Sequence, residues 1–432
     1  MDADRFLTHS LQDPRITRIL AAAIEAVEPG GIVRQRLEKT ALPEHDRPFL
    51  LGIGKAAEKM TLAAAAFYKD FTDALIITKH SLSALDENPL TRIAERVTIM
   101  EAGHPVPDER SIPAGQAVLD FTSRVQNNDL LICLISGGGS ALVVVPRKGL
   151  SLTDIQILTK SMLANGASID EMNVLRCQLD LLKGGGLAAA TKAKILSLIL
   201  SDVIGDHLDV IASGLTVPSQ QSVEKIQAIL EKYDIAKLLS SSKLKIVVSE
   251  KFANFSIFDR LRNVIVANNI SALQATKEKA MAEGFFTDIA NTELQGEAYM
   301  VGKQLAETLR TAAMQKPRPF CLISGGETTV IIRGIDKGGR NQELALGAVE
   351  TMDDLKNGML ISLATDGNDG PTESAGAVVN GQTYRRAKKL GMSAAEYLSR
   401  NDSFPFFDLL GDLLKPGYTG TNVNDLIFLF GL

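Results

Sequence analysis

"DLLICLISGGGSAL" (residues 129–142) sets six apolar residues in a row, Leu130, Leu131, Ile132, Cys133, Leu134 and Ile135, directly before a serine and three glycines. A run of this length, apolar throughout instead of alternating, is what a strand buried on both faces looks like, and the glycines mark the sharp turn after it. Its hexapeptide "CLISGG" (residues 133–138) returns at residues 321–326. The flanks of the two copies do not align beyond strand and glycines, so the repeat reads as one structural solution used twice and not as an internal duplication.

Similar runs lie on both sides. Upstream, "ITRILAAAIEAVEP" has helical spacing and stops at Pro29 and Gly30. "RPFLLGIG" then leads into the helical "KAAEKMTLAAAAFY", followed by "DALIIT", "ERVTIMEAGHP", the helical "SIPAGQAVLDFTSRV" and, beyond the opening stretch, "AKILSLILSD". This alternation predicts an α/β fold with a doubly wound parallel sheet. In "KYDIAKLLSSSKLKIVVSE" (residues 232–250) a helical stretch ends in three serines before a new strand is expected, which sets the domain limits at 1–240 and 241–432. The second half repeats the style with "NVIVANN", two long helical stretches, "FCLISGGETTVIIRG", "GMLISLATDGNDGP" and "NDLIFLFGL".

At 432 residues the chain exceeds the size at which one core stops growing, so two domains are expected. A hydrophobic share of 45% and a charged share of 22% fit a globular protein and not a disordered one. The net charge of -5 argues against a nucleic-acid or anionic-membrane partner, both of which want a basic face. The three cysteines, Cys133, Cys177 and Cys321, are odd in number and widely spaced, so they predict neither a disulfide framework nor a zinc knuckle. The longest uncharged stretch, residues 130–145, is shorter than the roughly 20 apolar residues of a membrane helix, and the start lacks an export signal. A cytoplasmic protein is expected.

Ligands of open parallel sheets bind beyond the carboxyl ends of the strands. The residues there are "GIGKAA" (52–57), "SGGGSA" (136–141), "SDVIGD" (201–206), "SGGET" (324–328) and "TDGNDGPT" (365–372), which offer backbone N–H groups or carboxylates. "GIGKAA" satisfies G-x-G-x-x-A, but the next strand ends in Lys79 and His80 where a dinucleotide site wants an acid for the ribose. Lys55 reads instead as a cation aimed at a carboxylate or a transferred phosphate, with a solvated lysine as the bland alternative. Asp202, Asp206, Asp209, Asp366 and Asp369 are candidate Mg²⁺ ligands or helix caps, and Arg340 is a candidate fork for an anion. No Walker A pattern is present. His104 lines a cleft or orders the loop between two prolines.

Taken together, "GIGKAA", "GHPVPDERS", "LISGGGSAL", "NVLRCQLDLLKGGGLA", "SDVIGDHLDVIASG", "ISGGETTV", "GGRNQELAL", "TDGNDGPTESAGA" and "TGTNVNDL" resemble, in order and over almost the whole chain, the two-domain glycerate kinases. That resemblance implies a Rossmann-like N-terminal domain, a smaller α/β C-terminal domain called MOFRL, and an active site in the cleft between them. It implies ATP-dependent phosphorylation of D-glycerate to 2-phosphoglycerate, with ATP and Mg²⁺ as cofactors and a homo-oligomer left open. Carried over, Lys55, Arg340 and Asp202 fall on catalytic positions. Ser136, Gly137, Gly138, Gly139, Ser140, Gly325 and Gly326 fall on nucleotide-binding ones, His104, Glu327 and Asn341 on substrate-binding ones, and Asp202 and Asp366 on metal-binding ones. Three residues depart from the family pattern: His207 stands for the second of two adjacent acids, Leu215 for a proline and Tyr418 for another proline. The competing expectations are an NAD(P)H-dependent hydroxypyruvate reductase, which "GIGKAA" would serve, and a non-catalytic glycerate or nucleotide sensor.

Overall fold

The structure, a computed structural model of the 432-residue chain, describes residues 1–81, 95–219, 221–247, 258–334 and 337–432. The apolar runs of the first half are strands β1 (Pro48–Ile53), β2 (Asp73–Thr78), β3 (Val97–Glu101), β4 (Leu130–Ile135), β5 (Lys194–Leu200) and β6 (Leu261–Ala267), joined in the order β3-β2-β1-β4-β5-β6. The pairs β1–β2, β2–β3, β1–β4 and β4–β5 are parallel, as the doubly wound reading requires. All six residues of β4 are buried, because the strand lies centrally with side chains packed on both faces. The chain winds outward from β1 to β3 and then restarts at β4 on the other side of β1. The β1–β4 seam is therefore the topological switch point.

The second sheet runs β11-β10-β9-β12-β8-β7, from β7 (Phe286–Leu294), β8 (Phe320–Gly326), β9 (Gly358–Ala364), β10 (Gly376–Asn380), β11 (Leu413–Leu414) and β12 (Asp425–Gly431). Only β7–β8 is parallel; β8–β12, β12–β9, β9–β10 and β10–β11 are antiparallel. The apolar runs at β8, β9 and β12 are fully buried as read, but what makes a strand apolar throughout is cover on both faces, which antiparallel strands also receive here. The strand expected ahead of "SGGET" (residues 324–328) runs on through both glycines and ends at Gly326.

The chain divides into two units, one of residues 29–266 and one of residues 1–28 with 267–432. The expected limits of 1–240 and 241–432 misplace two segments. Residues 261–266 belong to the first sheet as β6, and residues 241–247, expected to begin a strand, are helical (Ser241–Val247), while 248–250 lie outside the described residues. The N-terminal 28 residues join the second unit through buried polar anchors. Asp412 accepts from the Ser10 N–H at 2.8 Å and the Ser10 hydroxyl at 2.9 Å, and pairs with Arg386 at 2.8 Å. The helix Pro14–Glu25, capped by Asp13, buries Ile16, Ile19, Leu20 and Ile24. Among the described residues no helix is long and apolar enough to cross a membrane.

Candidate functional site

In the unit of residues 29–266, the loops after β1 and β4 meet at the switch point and are locked together by hydrogen bonds. The Ser136 N–H donates to the Ile53 carbonyl at 3.0 Å, the Lys55 N–H to the Gly137 carbonyl at 3.0 Å, and the Ala56 N–H to the Ser136 hydroxyl at 3.0 Å. Gly54, at φ 133°, has to be glycine because a Cβ there would overlap Ser136. Every N–H of residues 54–57 is thereby used inside the protein, Gly54 on Ile77 and Ala57 on the Gly54 carbonyl. A pyrophosphate finds no free backbone N–H at residues 54–57, and the dinucleotide match is a packing turn.

The loop at residues 136–140 is the opposite case. The N–H groups of Gly137, Gly138, Gly139 and Ser140 find no acceptor among the described residues. Gly138 is left-handed at φ 91° and opens the short helix Gly139–Leu142. A Cβ on Gly137 would overlap the Asp202 carboxylate at the end of β5, and one on Gly138 would touch His104 at 3.0 Å and Lys55 at 3.2 Å. Gly139 is packed against Ile53 and Ala212. Four successive unpartnered N–H groups beside a half-buried lysine form an anion cradle. The Lys55 ammonium has no hydrogen-bond or ion-pair partner among the described residues. Burial, and then the charges of Lys55 and Lys79, lower His104 to about 4, so its imidazole is neutral at pH 7.

The unit of residues 1–28 and 267–432 holds a second charged group. Arg340, at the start of the helix Arg340–Ala348, forks onto Asp425, Nε to Oδ2 at 2.6 Å and Nη2 to Oδ1 at 3.1 Å, and its Nη1 donates to Glu327. Burial opposes the guanidinium charge, but Asp425 and Glu327 outweigh it and raise its pKa. Asp425 is 3% exposed, so it is the fixed partner, while Glu327, 41% exposed, is the outer one. Asp369 caps this helix by accepting from the Asn341 N–H at 3.1 Å and the Gln342 N–H at 2.8 Å. Burial pushes Asp369 up to about 7 against these bonds.

The remaining candidates are placed less openly. Asn341 is 1% exposed and accepts from the Ser362 hydroxyl at 2.6 Å, so its amide serves the core. Gly325 and Gly326 stay inside β8, opposite Leu426 and Asp425 of β12. A Cβ on either would overlap Asn269 or Leu294. Asp366 turns into its own loop, accepting from the Asn368 N–H at 3.0 Å. Asp202 and Asp366 lie in different units, and among the described residues no three His, Cys, Asp or Glu side chains gather as a metal site. A magnesium ion held mainly by nucleotide phosphates needs only one or two carboxylates, and Asp202, packed against Gly137, fits that demand.

Asp425 and Asn269 were not singled out in the sequence. Asp425 carried a signal: an acid at the first position of a wholly buried strand, in the "TGTNVNDL" stretch. Asn269, whose amide donates to the Val423 carbonyl at 2.8 Å and the Asp425 carbonyl at 3.1 Å, carried none.

Residues 15–247 match a family described as a domain of unknown function, DUF4147, and residues 320–425 match the MOFRL family. A D-glycerate 2-kinase of Thermotoga maritima is 39% identical over 95% of this chain and 96% of its own length. A glycerate 2-kinase of Pyrococcus horikoshii is 37% identical over 88% of this chain and 86% of its own. The crystal structure of glycerate kinase from Thermotoga maritima superposes with a TM-score of 0.87 at 38% identity, covering 96% of this chain and 98% of that one. With the order of its loops, its two sheets and this likeness over nearly its full length, the chain belongs to the glycerate kinase family built from a DUF4147 region and a MOFRL region.

Proposed function

We propose that the protein transfers the γ-phosphoryl group of ATP to the C2 hydroxyl of D-glycerate, giving 2-phosphoglycerate and ADP. The observation that carries this reading is the loop at residues 136–140, whose four unpartnered N–H groups lie beside Lys55 at the switch point of a parallel sheet. The names of the two prokaryotic relatives supply the acceptor and its position.

Phosphoryl transfer asks a protein for positioning and charge neutralisation more than for covalent help. The loop N–H groups take phosphoryl oxygens, and Lys55 neutralises the charge that develops as the bond to ADP breaks. The C2 oxygen attacks phosphorus from the opposite side and gives its proton to the Asp202 carboxylate. Asp202 would also hold the divalent cation, whose charge would offset that of the polyphosphate. The neutral His104 donates or accepts a hydrogen bond to glycerate without adding a charge. Arg340, fixed by Asp425, takes an anionic group of the substrate in place of its outer partner Glu327. Asn341, Gly325 and Gly326 shape the surroundings of this group.

The test is incubation with ATP, Mg²⁺ and D-glycerate, the product being resolved by phosphorus NMR. A 2-phosphoglycerate signal is expected. Absence of any phosphorylated glycerate while both ligands bind would leave a sensor, and consumption of NADH or NADPH with hydroxypyruvate would establish the reductase instead. The internal use of every N–H in residues 54–57 speaks against the latter.

A further inference from the structure

The stretch "NVLRCQLDLLKGGGLA" (residues 173–188) contributes to the family resemblance and has no part in the reaction described above. It begins on the helix Ile169–Leu179, where Asn173 and Arg176, three residues apart, are neighbours on one flank. Asn173 is 7% exposed. Its Oδ1 accepts from the Ser213 hydroxyl at 2.9 Å, and that hydroxyl is 2.8 Å from the hydroxyl of Ser140, the last residue of the phosphate cradle. The other end of the amide, Nδ2, is buried with no acceptor among the described residues.

Arg176 is half-buried and has neither a hydrogen bond nor an ion pair among the described residues. Burial lowers its pKa, and no carboxylate opposes that effect. A guanidinium partly out of water with no partner among the described residues, three residues along the helix from a buried amide donor in the same condition, is an arrangement that an anion would complete.

The link between this helix and the cradle is built at a cost. Ala212 at φ 49° and Ser213 at φ 56° are both left-handed without being glycine, and Ser213 is fully buried. The Ser213 carbonyl is held by the Gly184 N–H at 2.8 Å, from the same "KGGG" stretch. The strain places one hydroxyl between Ser140 and Asn173.

We propose that Asn173 and Arg176 are a second phosphate-binding element that takes phosphoryl oxygens of a nucleoside polyphosphate held on the loop at residues 136–140, with Ser213 as the positioning residue joining the two. The proposal rests on the kinase reading for its ligand. A polyphosphate carries more negative charge than Lys55 alone answers, and the connection through Ser213 leads to the cradle. Glycerate, with one carboxylate, is the competing anion.

The test uses the full chain and inorganic tripolyphosphate as probe, titrated calorimetrically, with KM values for ATP and D-glycerate measured alongside. Arg176→Gln removes the charge, and Asn173→Asp keeps the acceptor for Ser213 while replacing the free donor by an anion. Each is expected to weaken tripolyphosphate binding and raise the ATP KM about tenfold or more, the scale of a lost charge-assisted hydrogen bond. The glycerate KM should stay within about twofold, and Arg176→Lys should recover part of the loss. If Asn173→Asp does not fold, Arg176→Gln alone decides, since it alters a half-exposed side chain. Unchanged tripolyphosphate affinity in Arg176→Gln, or a rise confined to the glycerate KM, would overturn the proposal. A wild-type chain that binds tripolyphosphate through Arg176 yet phosphorylates no glycerate would sink the kinase reading and leave this element standing.

Discussion

The hexapeptide "CLISGG" ends a buried strand in each unit, and the two endings do different things. After β4 the glycines leave the sheet, and their N–H groups face no acceptor among the described residues. In β8 they remain in the strand, because Asn269 and Leu294 lie against them where a Cβ would be. A glycine pair behind an apolar run therefore says that something approaches the backbone closely. Whether it is a ligand or another part of the chain depends on the neighbours.

The largest effect that would sharpen this contrast is expected at Lys55. Its replacement by Ala should lower kcat by about 10²–10³, as loss of one preorganised charge does, with the melting temperature unchanged. Turnover left intact would remove the cradle from the chemistry. Next, Gly137→Ala forces a methyl into the Asp202 carboxylate, so steady-state rates should fall about 10²-fold while the fold persists. The matching change in the other copy, Gly325→Ala, collides with Asn269 and should appear in denaturant titration as a loss of about 2 kcal/mol. If the two glycine variants gave the same pattern, the functional distinction between the copies would fail. Asp425→Asn leaves Arg340 with Glu327 alone and should cost about 2 kcal/mol by the same titration, less than a fully buried pair because Arg340 is 31% exposed.

The smallest effect is a difference in acid response, read by amide exchange in each unit. His104 has a folded pKa of about 4 against 6.5 unfolded. Between these values the unfolded chain binds the extra proton, so its contribution is present above pH 6.5 and lost as the pH falls towards 4. Asp369 has the opposite sign: its folded pKa of about 7 lies above 3.8. The folded chain binds the proton in that window, so acidification from pH 7 towards 4 stabilises the unit that contains it. His104→Gln should flatten the first trend and Asp369→Asn the second.

Much of the fold was legible because burial on two faces leaves a plain mark. The runs at β1, β2, β4, β5, β8, β9 and β12 are apolar since no face of those strands meets water. β7 left no such mark: it is an edge strand with mostly exposed side chains, and "FTDIANTEL" reads as polar. β11, two residues long, is too short to show a period. Among the candidate site residues, Lys55, Asp202 and the loop at residues 136–140 stand in loops at strand ends, and Arg340 follows two glycines at a helix start, where glycine and charge are visible. Asn269, Ser213 and Asp369 were harder, because each works through a partner distant in the chain.

The sequence by itself determined that two α/β units exist, which segments are buried strands, and that loops rich in glycine and acids follow them, because solvent exclusion and tight turns each restrict residue type locally. Only the tertiary structure decided that the second sheet is largely antiparallel and that residues 1–28 belong to it. It also decided that "GIGKAA" spends its N–H groups on packing whereas residues 137–140 keep theirs free of any acceptor among the described residues. Strand direction and hydrogen-bond partnership are fixed by which segments meet, and that depends on contacts hundreds of residues apart that no local window of sequence contains.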